Sequence, residues 1–186
     1  MDRRGGIVEE LTGDHRRVQG LFDRIRSARP GSRERSALVE QLSGELVRHA
    51  VATKEYLYPA VRRRLPDGDR WAEHALRGHR ETEELLGELA GADPAGARFT
   101  GLLLSVITRA TAHMVEEEQL LFPRLEALCP PRTLRELGAR VRDAEGSAPA
   151  RPRPAAPETA PLVKVTAQVR GPLDRLRDLA ARRGRP

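Results

Sequence analysis

HMVEEEQLLFP, His113–Pro123, is the stretch whose reading decides this chain, because it sets a histidine and a carboxylate four residues apart on an apolar helix. Each helical residue advances about 100°, so Glu117 lies about 40° from His113, Glu116 about 60° the other way and Glu118 about 140° off. His113 and Glu117 are the expected metal-binding pair, with Glu116 in reserve. An earlier stretch, HAVATKEYLYP (His49–Pro59), repeats the frame: a histidine, then ten residues on a proline preceded by an aromatic residue.

Working outward, the apolar spacing predicts helices on both sides. The first runs from about Ile7 to Ser27, with Leu11, His15, Val18, Phe22 and Ile25 on one stripe. After the break at Pro30 and Gly31, the second runs from about Ser32 to Arg64, kinked or ended by Pro59. The turn Pro66–Asp69 offers an N-cap for a third helix over about Arg70–Ala90, whose stripe carries Leu76, His79, Glu83 and Leu86. Gly91, Asp93 and Pro94 open a fourth helix with Phe99, Leu103, Val106, Ala110, His113, Glu117 and Leu120 on its inner face, ending near Leu128. Four amphipathic helices with short connections predict an all-α, up-and-down antiparallel four-helix bundle, a fold that builds metal sites in its core. Thr133 and Glu136 form a capping-box pattern for a short fifth helix to about Ala144.

The domain therefore spans residues 1–145, and residues 146–186 form a Pro/Ala/Arg-rich tail. Leu173, Leu176 and Leu179 sit at helical spacing there, as in a short amphipathic helix able to dock on the bundle or a neighbour. The net charge of +6 belongs to the tail, which holds nine Arg or Lys against three Asp or Glu, leaving 24 of each before it. The tail has no aromatic residue to stack on bases, so no nucleic-acid partner is expected. Cys129 is the one cysteine, which excludes an internal disulfide and a thiolate metal site. The N-terminus lacks the apolar core of a signal peptide, and no apolar run is long enough to span a bilayer. The reading is a cytoplasmic protein with no membrane partner.

Five histidines fall on the predicted bundle helices: His15, His49, His74, His79 and His113. Neutral imidazoles crowded into a dry core would leave nitrogens unpaired at about 1–3 kcal/mol each, whereas ligation satisfies them. His74 lies about 140° from His79 and fits the stripe poorly. Glu83 points inward, as a ligand or as an acceptor behind one. On the second helix the position four after His49 is Thr53, so no carboxylate stands there. Glu55 points about 120° away, while Tyr56 returns to within about 20° of His49. Tyr56 is either a phenolate ligand or a core aromatic with its hydroxyl bonded to a partner. Imidazoles with a few carboxylates suit iron, manganese or zinc.

At these residues the chain resembles the hemerythrin-like, or HHE cation-binding, family. The resemblance covers about residues 5–145, and the tail is similar to those of actinobacterial members. It implies an up-and-down four-helix bundle around two non-haem iron ions, oxo- or hydroxo-bridged and joined by carboxylates, with manganese or zinc as alternatives. Carried over by position, His15 matches the first-helix ligand, His49 and Thr53 the second-helix pair, His79 and His74 the third-helix histidines, and His113 with Glu117 the fourth pair. Thr53 stands where the family has glutamate. Tyr56 or Glu55 replaces the missing acid, the second metal is weakly held, or an open position admits substrate.

The resemblance leads to a protein that binds dioxygen or handles or senses peroxide or nitric oxide. The alternative is a di-iron oxidase or oxygenase acting on a small organic molecule, with Thr53 marking a ligand lost to make room. A third reading is a scaffold with a weak or empty site whose tail contacts a partner.

Overall fold

The computed structural model describes residues 5–147, and the described chain is helical throughout. Helix α1 (Ile7–Ser27) is followed by α2 (Arg33–Ala52), a π turn π1 (Thr53–Leu57) and α3 (Tyr58–Arg64), which together form one continuous rod. Helix α4 (Gly68–Gly91) returns, and α5 (Ala97–Glu116), π2 (Glu117–Leu121) and α6 (Phe122–Leu128) form the fourth rod. The result is the expected antiparallel four-helix bundle, with consecutive rods packed on each other.

The helix ends follow local chemistry. Ser32 caps α2 by accepting a hydrogen bond from Arg35 N at 3.1 Å. Asp67 stands at the N-cap of α4 but does not cap it. Its carboxylate accepts instead from Trp71 Nε1 at 3.2 Å and from both terminal nitrogens of Arg124, at 2.5 and 3.1 Å. The fourth rod starts later than Asp93–Pro94 suggests. Asp93 Oδ1 accepts from Ala95 N and Asp93 O from Gly96 N, a turn that delays the first helical residue to Ala97.

The two π turns are the main departure from the expected straight rods. Tyr58 N bonds back five residues to Thr53 O, and Phe122 N bonds back five to Glu117 O. Each turn runs into a proline, Pro59 or Pro123, which has no N–H to continue an i to i−4 ladder and crowds the carbonyl four residues before it. The wider turn accommodates both defects and adds one residue, rotating all that follows by about 100°. Leu120, expected inside, is consequently 51% exposed, while Leu121 and Phe122 are buried.

The second hairpin repeats the first at a constant offset of 64 residues. Arg33–Ala52 becomes Ala97–Glu116, Thr53–Leu57 becomes Glu117–Leu121, and Tyr58–Arg64 becomes Phe122–Leu128. Two apolar clusters flank the middle of the bundle. One joins Val18, Phe22, Leu42, Leu86, Leu103 and Val106, and the other joins Ile7, Leu11, Leu57, Val61, Leu121 and Leu125.

The fifth helix is longer than its capping pattern predicts: α7 spans Pro131–Ser147 and buries Leu137, Val141 and Ala144. It lies close against the start of α1, where a Cβ on Gly138 would meet Gly5 O at 2.6 Å, so only glycine fits. Arg142 contacts Glu10 across the same seam. The linker after α7 and the helix expected around Leu173–Leu179 lie outside the described residues.

Candidate metal centre

Four histidines and one glutamate meet between the two apolar clusters. Ligand atoms of His49, His79, His113 and Glu117 all lie within 4.8 Å of one another. His15 joins them from α1, with Nε2 3.2 Å from Glu117 Oε2. Glu117 is the hub. Its Oε2 faces His15 Nε2 and, at 3.4 Å, His49 Nε2, while its Oε1 faces His113 Nε2 at 3.3 Å. The imidazoles fall into two close pairs: ring centroids are 4.9 Å apart for His15 and His49 and 4.5 Å for His79 and His113. Between the pairs, His49 is 5.9 Å from His79 and 6.3 Å from His113.

The aromatic residue at the centre is Tyr58, and not Tyr56. Tyr58 is 1% exposed, and its hydroxyl lies 2.6 Å from His79 Nε2 and 3.4 Å from His113 Nε2 while donating to Glu117 Oε1 at 3.0 Å. Tyr56 points outward and donates to Glu55 at 2.7 Å. The spacing of seven residues that aimed Tyr56 at His49 assumes an unbroken α-helix, and the extra residue in π1 turns it away. The constant offset is the sequence signal that finds Tyr58: it is the counterpart of Phe122, as His15 is of His79 and His49 of His113.

The remaining candidates are not gathered in. His74 is exposed, with Nε2 2.8 Å from Glu116 Oε2, so the reserve acid and the doubtful histidine pair with each other on the surface. Glu83 lies at the edge of the centre, held by Lys54 Nζ at 2.9 Å. Thr53 is fully buried, and its hydroxyl lies within hydrogen-bond distance of His49 O, Ala50 O and His79 Nε2.

Of two further acids at the centre, the sequence reading set one aside and missed the other. Glu118, set aside at about 140° from His113 on an ideal helix, is re-aimed by π2 and reaches His15 Nδ1 at 2.7 Å. Asp14, 4% exposed, places Oδ2 3.6 Å from His49 Nδ1.

The electrostatics follow from this packing. Burial alone would raise the Glu117 carboxyl, but the imidazoles of His113, His15 and His49 outweigh it and hold Glu117 well below the usual range. Burial pushes His79 well below an ordinary histidine, helped by the charges of His113 and His49. Burial also opposes a charge on His49, yet Asp14 and Glu117 beside it lift that group to about 9. Burial, and then Glu117, push the Tyr58 hydroxyl well above its ordinary value, so the phenol keeps its proton unless a cation sits at its oxygen.

The donor set suits a cation. His15 Nε2, both nitrogens of His49 and Glu117 Oε2 are buried without a hydrogen-bond partner. Three of these, His15 Nε2, His49 Nε2 and Glu117 Oε2, converge on one point, which is rare in a folded core where nearly all buried polar atoms are satisfied. Imidazole nitrogen, carboxylate oxygen and phenol oxygen fit iron, manganese or zinc, and Cys129 is buried in the second apolar cluster. A small apolar cavity opens beside the histidines, lined by Val18, Leu46, Leu86, Ala110 and Met114 with Glu83 among them.

The family model for the hemerythrin HHE cation-binding domain matches residues 6–125. The chain belongs to the hemerythrin HHE cation-binding family. An uncharacterised hemerythrin-like protein of Schizosaccharomyces pombe is 25% identical over 174 residues, covering 93% of this chain and 85% of the yeast protein. A crystal structure of a hemerythrin HHE cation-binding domain-containing protein from Mycobacterium kansasii superposes with a TM-score of 0.66 at 27% identity, covering 76% of this chain and 88% of the other. Within this HHE domain the fourth-helix pair, His113 and Glu117, stands as the sequence suggested, and the second-helix acid is absent.

Proposed function

We propose that this HHE domain holds two non-haem iron ions and binds dioxygen, or handles or senses peroxide or nitric oxide. The observation that carries this reading is the division of the histidines into two close ring pairs around Glu117, whose Oε2 faces His15 and His49 and whose Oε1 faces His113. His15 and His49 would hold one ion, His79 and His113 the other, and Glu117 would bridge them. Tyr58 stands where a second bridging or terminal oxygen donor is needed, which makes up for Thr53. When bound, a pair of redox-active ions supplies an open coordination position for a small oxidant or gas. Manganese or zinc fits the same donors.

The chain's own residues do the rest. The two apolar clusters keep bulk water from the ligands, so their attraction to a cation is weakly screened. The cavity by Val18, Leu46 and Met114 offers a neutral ligand an apolar resting place beside His15 and His113. Without a cation the Tyr58 hydroxyl donates to Glu117 Oε1 at 3.0 Å, and this bond holds its oxygen at the place where it would serve as a ligand. No described helix is long and apolar enough to cross a membrane. A cytoplasmic location agrees with the single buried cysteine.

The alternative, an oxidase or oxygenase for a small organic molecule, predicts space beside Thr53. Thr53 is fully buried and does not line the cavity, so the gas or peroxide reading is favoured. The deciding experiment loads the purified protein with iron and records its spectrum with and without dioxygen, peroxide and nitric oxide. A ligand-dependent band supports the first reading, and turnover of an organic substrate with oxygen uptake supports the second.

A further inference from the structure

The repeat of 64 residues makes the two halves of the centre directly comparable. His15 and His79 are counterparts, as are His49 and His113, and the two rings within each half are close, at 4.9 Å for His15 and His49 and 4.5 Å for His79 and His113. The residues that support them are not alike. In the first pair, the carboxylate of Glu118 lies 2.7 Å from His15 Nδ1, and Asp14 Oδ2 faces His49 Nδ1 at 3.6 Å. The counterpart of Asp14 is Gly78, whose missing Cβ would lie 3.6 Å from His113 Nδ1, so the position beside that nitrogen carries no side chain. The counterpart of Glu118 is Lys54, a cation whose ammonium pairs with Glu83 at 2.9 Å. The aromatic position is also divided: Phe122 stacks on His15 at 5.8 Å, whereas its counterpart Tyr58 sets a hydroxyl 2.6 Å from His79 Nε2.

From this asymmetry we infer that the two metal positions are unequal: His15 and His49, backed by Glu118 and Asp14, hold a tight ion, and His79, His113 and Tyr58 hold an exchangeable one. An acceptor on Nδ1 fixes the tautomer whose Nε2 lone pair points at the metal, and it makes that nitrogen a stronger donor. Two carboxylates beside the first pair also add attraction for a dication in a water-poor core. Among the described residues the second pair lacks both supports. Glu118 is therefore a positioning residue, acting on the metal through His15.

The inference rests on the proposed metal-binding reading, and its test separates the two. Full-length protein stripped of metal is titrated anaerobically with ferrous iron against a chromophoric competing chelator. The expected result is two equivalents bound in separate steps, the first at least about tenfold tighter. E118A weakens the first step by about 10–100-fold and leaves the second within a few-fold, while E118Q, which keeps an acceptor oxygen, restores the first. Y58F weakens the second step alone. Thermal unfolding of the metal-free variants checks that the fold is intact, and Glu118, being partly exposed, is suited to substitution. If the wild-type chain takes up no iron, the functional reading fails and takes the inference with it. If it takes up two ions of equal affinity, or if E118A weakens both steps alike, the inference alone is overturned.

Discussion

Tyr58 and Phe122 occupy equivalent places, each ahead of a proline at the end of a π turn, yet Tyr58 brings a hydroxyl to 2.6 Å from His79 Nε2 while Phe122 presents only a ring to His15. One oxygen thus marks the difference between two otherwise matching halves. It also lies beside Thr53, the position where a second carboxylate was expected, the two hydroxyls sharing His79 Nε2 at 2.6 and 3.2 Å.

Replacing that oxygen tests its role. In the iron-loaded protein, Y58F is expected to abolish a visible phenolate-to-iron charge-transfer band, and Y56F to leave it unchanged. Absorption spectra of the two variants beside the parent protein check this. A band that survives in Y58F removes Tyr58 from the ligands.

The π turns set the phase of everything beyond them, and side-chain burial reports that phase. L120E changes an exposed residue and is expected to alter stability by no more than about 0.5 kcal/mol. L121A empties a site that is 1% exposed and is expected to cost about 2–5 kcal/mol. Denaturant unfolding of the metal-free variants separates the outcomes. A straight α-helix through Glu117–Leu121 would reverse their order.

Far from the centre, Arg124 bonds Asp67 through two nitrogens and holds its carboxyl below the ordinary range. A carboxylate with a lowered folded-state pKa adds stability above its unfolded value, and that contribution is lost as pH falls through the folded value. R124M is therefore expected to lower Tm at pH 7, and its difference from the parent protein is expected to shrink as the pH falls through and below the usual carboxylate range. Melting curves across that range test the sign.

Metal removal has a calculable effect on stability. A bound ion at about a hundredfold excess over its Kd stabilises the native state by about 2.7 kcal/mol. For a domain of this size each kcal/mol moves Tm by roughly 2–4 °C. Chelation is thus expected to lower Tm by several degrees, reversibly on adding iron back, as calorimetry can measure.

Much of this was legible in the sequence because helical periodicity is a strong signal. Leu11, Val18 and Phe22 on one stripe, and Leu38, Leu42 and Leu46 on another, place the rods, and His15, His49, His79 and His113 fall inward on them. His113 lies in α5 and Glu117 is the first residue of π2, so the helix between them is still regular and the ideal angle of 100° per residue held there. Tyr56, Leu120 and Glu118 were misread for one shared reason: each lies within or beyond a residue inserted into the helix, and every later angle shifts. His74 was carried by resemblance against its own angle, and the angle was the better guide. Asp14 escaped notice because its role is to support another helix's histidine, a relation that no spacing within one helix encodes.

The most direct measurement of the central claim is the iron content and electronic spectrum of the full-length protein purified after aerobic expression in iron-rich medium. The paired histidines around Glu117 predict about two irons per chain, with a near-ultraviolet band that responds to dioxygen, peroxide or nitric oxide. Less than one metal ion per chain under those conditions would contradict it.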